Sequence, residues 1–296
     1  MIFKTALALA ATISAVIAEP VPLEKRQLPT GRYVGTGASR HVFDYVVEVN
    51  ENAADGTKCF QQKTDHLSMK ISHLRSSNLP KTYGARIRSA KRLTAGEFCA
   101  DINPNFLKQF AGGNFAMYTG WADKSDVPNN HPPGSAYYRK TYDWEEIDME
   151  FLTRYKNYLH TNLYHNHVSL GRTNYEGYSL GVQAGVNDIS GKLTTTGWRR
   201  YCIQWGQGWS LWLIDGVPTR KKESAAEGIV VDGKRAHDGS AWNANGMYGY
   251  FSYWGDNQGA WAMGDITGAD GLDGISDPAM INNPCITGTY GVCGKA

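Results

Sequence analysis

Trp144-Glu145-Glu146-Ile147-Asp148-Met149-Glu150-Phe151 reads as a single β-strand. Side chains on a strand alternate faces with a period of two. One face therefore carries Trp144, Glu146, Asp148 and Glu150. The other carries Glu145, Ile147, Met149 and Phe151, and all of these but Glu145 are apolar and fit for a core. Carboxylates in a row on one face repel and raise one another's pKa. A chain keeps such a face more readily where it lines a site that uses it. The alternative is a solvated acidic strand on the outside of a sheet.

The spacing points to a chemistry. Glu146 and Glu150 are four residues apart, which separates their Cα atoms by roughly 13 Å at ~3.3 Å per residue. If the two side chains lean together, their carboxyl groups come to about 5–6 Å, near the ~5–5.5 Å of retaining glycosidases and short of the ~6.5–9.5 Å of inverting ones. Asp148 falls between them, placed to share a proton with either neighbour and to separate their pKa values.

The rest of the chain is patterned the same way. Short runs rich in Tyr, Val, Ile and Trp sit between clusters of Gly, Asn, Asp and Pro. They include Val42 to Val49, Leu67 to Leu74, Gly84 to Ser89, Asn114 to Thr119, Tyr158 to Val168, Trp198 to Trp205, Ser210 to Ile214 and Gly246 to Trp254. Past the N-terminal apolar run, helical periodicity is confined to a possible single turn at Phe106 to Phe110. The pattern predicts an all-β fold, an antiparallel β-sandwich of the jelly-roll type with a concave substrate-binding sheet, not a βαβ fold. Asp123 to Ser135, with its prolines, reads as a long loop at one end of the cleft. Asp215-Gly216 is a hairpin-turn dipeptide, and Trp205 and Trp212 read as filling between the sheets.

Glu146-Ile147-Asp148-Met149-Glu150 resembles the Glu-x-Asp-x-Glu signature of glycoside hydrolase family 16, in the form without a bulge residue used by lichenases and xyloglucan endotransglycosylases. Several other stretches are similar to that family. Tyr118-Thr119-Gly120 resembles the lichenase Thr-Tyr-Thr-Gly, and Asn162-Leu163-Tyr164-His165-Asn166 resembles Asn-Tyr-Tyr-Thr-Asn. Trp198 to Gly216 is similar to a hairpin ending in Asp-Gly, and Tyr248 to Trp254 to the final cleft strand, with Ser252 where lichenases have Asn. Tyr83-Gly84 opens a similar segment, but Arg86-Ile87-Arg88 replaces the usual acidic and apolar residues. The resemblance runs from about Tyr83 to Trp261. It implies that Glu146 is the nucleophile, Asp148 the helper and Glu150 the acid/base, with Trp144, Tyr118, Asn162, Tyr164 and Trp254 binding sugar. The implied function is an endo-acting, retaining β-glucan hydrolase; its secretion is expected from the N-terminal segment, and no cofactor and no zinc-type Cys/His metal site are expected. A glucan transglycosylase and a non-catalytic lectin-like jelly roll are the alternatives, the last having no need for three carboxylates.

Length allows one large all-β domain or two small ones, and with no repeat and no low-complexity linker a single domain is expected. The 296 residues are 42% hydrophobic and include 9 Trp, 17 Tyr and 33 Gly, a mixture suited to short strands, many turns and an aromatic cleft. A formal charge of +2 gives no electrostatic argument for a nucleic-acid partner. The expected partner is a β-glucan, met by a monomer. Lys4 followed by the apolar run Thr5 to Ile17 and Ala18 reads as a signal peptide over 1–18, too short for a membrane span. Residues 19–26 end in Lys25-Arg26, a dibasic pair similar to a processing site, so the catalytic domain is expected over 27–296. The polar, Gly-rich stretch Thr287 to Ala296 lacks the apolar tail of a lipid-anchor signal. In an oxidising compartment Cys285 and Cys293, close in sequence, pair with each other. Cys59 with Cys99 is the expected second bridge, leaving Cys202 as a buried thiol. His160, His165 and His167 cluster, but alternating faces argue against a metal site.

Overall fold

The alternation seen in the acidic strand recurs along the chain and decides which side of each strand meets the core. A computed structural model describes residues 28–36, 40–74, 81–103, 113–122, 144–153, 158–165, 186–188, 197–206, 209–223, 230–231, 234–235, 246–255 and 274–293, and among these there are strands and turns but no helix. The anticipated helical turn at Phe106 to Phe110, the loop from Asp123 to Ser135 and the N-terminal processing segments lie outside the described residues.

An eight-stranded sheet has the order β1 (Thr30–Val34), β2 (Val42–Asn50), β7 (Ala85–Leu93), β18 (Met247–Trp254), β9 (Asn114–Ala122), β10 (Trp144–Leu152), β11 (Tyr158–His165) and β12 (Val186–Asp188). A seven-stranded sheet has the order β15 (Val217–Glu223), β14 (Trp209–Ile214), β13 (Arg199–Gly206), β8 (Gly96–Asn103), β20 (Ala279–Thr287), β4 (Leu67–Met69) and β3 (Phe60–Gln62). Two small sheets complete the set: β16 (Val230–Val231) with β17 (Lys234–Arg235), and β19 (Gly274–Ile275) with β5 (Ser72–Leu74) and β6 (Lys81–Tyr83). The pairings are antiparallel, as the expected β-sandwich requires.

The core lies between the two large sheets. Ile147, Met149 and Phe151 of β10 enter it, joined by Phe115 and Met117 of β9 and Phe251 of β18. The opposite sheet sends in Phe98 from β8, Tyr201, Ile203 and Trp205 from β13, and Trp212 and Ile214 from β14. Phe98 meets Phe251, and Tyr201 meets Phe151, with ring centroids 5.0 Å apart in each pair. Each such side chain contributes about 1.5–3 kcal/mol by leaving water. Gly249 of β18 lets Phe98 in, since a Cβ there would lie 2.8 Å from the ring. Trp205 and Trp212 are core residues, as anticipated. The β14–β15 turn is Asp215-Gly216, both with positive φ (51° and 75°), the hand that suits a tight hairpin.

Three expectations need correction. Leu67 to Leu74 is two strands in different sheets, β4 and β5, with Ile71 buried between them. Cys99 pairs with Cys202, not with Cys59, and Cys202 is therefore no thiol. The reason is register: β8 lies beside β13 with Cys99 directly opposite Cys202, whereas Cys59 precedes β3 at the sheet's far end and is a buried free thiol. Cys285–Cys293 forms as anticipated.

Candidate active site

Strand β10 places its acids by alternation. Ile147, Met149 and Phe151 are fully buried on the core side, so Glu146, Asp148 and Glu150 stand together on the other face. That face floors a cavity of about 440 Å³ lined by all three acids. The cavity runs from β10 over β9 and β18 to β7 and the end of β2, with Tyr118, Ser252, Trp254, Arg86 and Glu51 also in its lining.

The acids are unequally covered. Glu146 is partly exposed, while Asp148 is 3% and Glu150 8% exposed. Opposite them on β9 stand Gly120, Tyr118 and Ala116 respectively. Burial, the first cause, and the charges of Glu146 and Glu150 push the Asp148 carboxyl well above its ordinary value. Asp148 is also hydrogen bonded to Glu146. Holding its proton, it donates to a Glu146 oxygen. Asn114 Nδ2 donates to Glu150 Oε1 at 2.5 Å from the neighbouring strand.

Tyr118 is partly buried and lies flat on Tyr250, with ring centroids 4.7 Å apart and planes 5° from parallel. Burial drives its phenol well above the ordinary value, despite the Arg86 charge that pulls it down. Arg86 donates a hydrogen bond to the Tyr118 hydroxyl. Its Nε also lies 2.8 Å from Glu48 Oε2, and Arg88 Nε lies 2.8 Å from Glu48 Oε1. The arginines that depart from the family pattern are thus on the cavity face and share an acid from β2.

Of the residues singled out in the sequence, Tyr118 and Trp254 meet the acids in the cavity, and Trp254 keeps 38% of its surface exposed. The backbone of Asn162 pairs with Asp148, and that of Tyr164 with Glu146, which puts both positions on the acid-bearing face. Trp144 pairs with Ala122 at the start of β10. The side chains of Trp144, Asn162 and Tyr164 lie outside the described residues. Arg86, Asn114 and Glu51 were not anticipated as site residues. The alternation around buried Ile87 was the available signal for Arg86. His160 pairs with Glu150, and burial lowers its pKa to about 4. His165, five residues along, falls on the other face, and His167 lies outside the described residues. Among the described residues, Glu97, Cys99 and Cys293 hold potential metal-ligand atoms within 4.8 Å of one another. Both sulfurs are in disulfides, which leaves no thiolate to bind a metal. No helix among the described residues is long and apolar enough to cross a membrane.

Several solved structures are similar to the chain. A prokaryotic β-1,3-1,4-glucanase (lichenase) from a mouse hindgut metagenome is 18% identical, with a TM-score of 0.45 over 76% of this chain and 83% of that one. The Bacillus licheniformis β-glucanase is 14% identical, with a TM-score of 0.47 over 85% and 91%. A laminarinase from Flavobacterium sp. UMI-01 is 12% identical, with a TM-score of 0.49 over 80% and 92%. No curated protein matches the chain. The family model for glycosyl hydrolases family 16 matches residues 49–267, about three quarters of the sequence and every residue that lines the cavity. The chain belongs to glycosyl hydrolases family 16.

Proposed function

We propose that the chain is a secreted, endo-acting β-glucan hydrolase that retains anomeric configuration. The observation that carries this reading is the placement of Glu146, Asp148 and Glu150 on one strand face in the floor of an aromatic-lined cavity. The charges lining the cavity include both signs, Arg86 against Glu51 and the acids, which suits a neutral sugar polymer better than an anionic one. Trp254 offers an exposed ring for a sugar face to stack on. The N-terminal apolar run and two disulfides fit passage into an oxidising compartment.

In this reading Glu146 attacks the anomeric carbon while Glu150 gives its proton to the leaving glycosidic oxygen. A covalent glycosyl-enzyme results. Asn114 occupies Glu150 Oε1, so Oε2 is the atom that carries the proton. Asp148 donates its hydrogen bond to Glu146 and keeps one acid of the three neutral, which limits the repulsion among them. Water then attacks the same carbon, returns a proton to Glu150 and frees Glu146.

The test is release of reducing ends from a panel of β-glucans by the wild type and by Glu146→Gln. The expected result is turnover by the wild type, the β-anomer formed first by NMR, and no turnover by a variant that still binds glucan. Wild-type protein that binds glucan and never cleaves it overturns the reading in favour of a lectin. An inverted first product overturns the roles given to the two glutamates.

A further inference from the structure

The indole of Trp212 crosses the sandwich to the acidic strand. Its Nε1–H donates to the main-chain oxygen of Asp148 at 2.8 Å. Both residues are buried, Trp212 fully and Asp148 to 3% exposure. The donor stands on β14 of one sheet, and the acceptor is the middle residue of the acid row on the other. Ile147, Met149 and Phe151 anchor β10 through apolar packing, which is strong in sum but non-directional. A hydrogen bond adds what packing lacks, a fixed distance and angle.

A bulge lies beside the donor. Between Trp212 and Leu213 the pairing of β14 with β15 changes register, so that Trp212 faces Arg220 and Leu213 faces Pro218. Thr219 is the extra residue, and its Oγ1 donates to the Trp212 carbonyl at 3.1 Å. Pro218 has no N–H to give the ladder, so the interruption falls beside it. The bulged strand is β15, and its extra residue thereby reaches the main chain of Trp212 itself. On its other side Trp212 stands opposite Ile203 of β13, and β13 is fastened to β8 by Cys99–Cys202. The indole therefore projects from a braced frame.

We propose that Trp212 is a positioning residue for glycoside cleavage, setting through the Asp148 carbonyl the height and twist of the strand that carries Glu146 and Glu150. The inference rests on the roles proposed above for those two glutamates. Both branch from β10 two residues either side of the bonded carbonyl, so a shift there moves both against a bound sugar. A misplacement of ~1 Å can cost on the order of 10²-fold in rate. Trp254 and Tyr118 stand on β18 and β9, so the grip on substrate does not depend on the bond. Loss of the bond should lower kcat and leave KM nearly unchanged.

The test replaces the Trp212 indole by benzothiophene, using site-specific incorporation of benzothienylalanine. Sulfur takes the place of N–H while the fused ring keeps its shape. Trp212→Phe and Thr219→Val serve as second and third variants. The benzothienyl protein is expected to keep its thermal midpoint, lose about tenfold or more in kcat and hold KM within about twofold. Thr219→Val should fall between it and the wild type. A benzothienyl protein with wild-type kcat overturns the inference, as does one whose kcat loss is matched by loss of folded protein. A separate readout is the titration of the ¹³C-labelled Asp148 carboxyl by NMR, which a moved strand alters through the bond to Glu146. If the wild type cleaves no glycan, the hydrolase reading falls by itself. The positioning inference then stands or falls on whether the Asp148 titration differs between the indole and benzothienyl proteins.

Discussion

Lowering the pH from 7 to 4 should cost the fold about 3 kcal/mol through His160 alone. His160 is 7% exposed and pairs across the strands with Glu150. Burial lowers its pKa from 6.5 to about 4, so the folded protein holds it neutral. The sign follows from proton uptake: between those two values the unfolded chain binds a proton that the folded chain refuses. Stability is therefore present above the unfolded value and is lost as pH falls through the window. Each pH unit in it is worth about 1.4 kcal/mol, which gives the figure of about 3. Asp148 works in the opposite direction. Its pKa is raised above 3.8 by burial and its acidic neighbours, so the unfolded chain releases a proton that the folded one keeps, and stability falls with rising pH. The two slopes oppose each other within the His160 window, and a wild-type curve alone can look flat. The assay is therefore a difference, urea unfolding of wild type and His160→Gln at several pH values from 7 to 4. Between these limits the wild type should lose about 3 kcal/mol more than the variant. Parallel curves would refute the reasoning, because they would mean that His160 takes up its proton equally in both states.

The remaining predictions concern Asp148 and the disulfides. Asp148→Asn removes a group that the fold holds protonated, so its stability relative to wild type should climb as pH rises above 3.8, by up to about 1.4 kcal/mol per pH unit, until Asp148 ionises in the folded protein. A gain that is constant with pH, measured by the same unfolding series, would contradict the assigned burial and charge effects. The Cys99–Cys202 bridge closes a sequence separation of 103 and the Cys285–Cys293 bridge one of 8. Loop entropy then makes the first worth about 4.7 kcal/mol and the second about 2.6 kcal/mol. Paired Cys→Ala variants should preserve that order in denaturant midpoints, and a reversed order would show that native contacts outweigh the loop effect.

The fold was legible wherever polar and apolar residues alternate along a run of strong strand formers. β10, β14 and β18 alternate cleanly, and each appears where the alternation puts it. β8 was not legible, because its alternation runs through Gly96, Ala100, Asp101 and Asn103, which are poor strand formers, and both its faces are covered. Phe98, Ala100 and Ile102 face the core. On the outer side the tail after β20 lies over Glu97, whose carboxylate accepts the backbone N–H groups of Gly291 and Cys293. With the strand unread, the position of Cys99 went unread too. The bridge to Cys202 depends on β8 and β13 being neighbours, a fact of strand order that cysteine spacing does not contain.

The acid row was legible as a row, but the inequality of its members was not, because that inequality is set by β9. Opposite Glu146, Asp148 and Glu150 stand Gly120, Tyr118 and Ala116, small, large and small. Tyr118, directly opposite Asp148, lies flat on Tyr250, and Asp148 is buried. Gly120 contributes no side chain beside Glu146, which keeps some exposure. Ala116 leaves room beside Glu150, and the Asn114 amide reaches into it. A buried central acid between two more accessible neighbours is the one that should stay protonated, since desolvation penalises its charge most. Tyr118 could be read in the sequence as a residue that contacts sugar. Its place in the register adds what the sequence did not show, that it stands directly across from Asp148, the acid that burial and its acidic neighbours keep protonated.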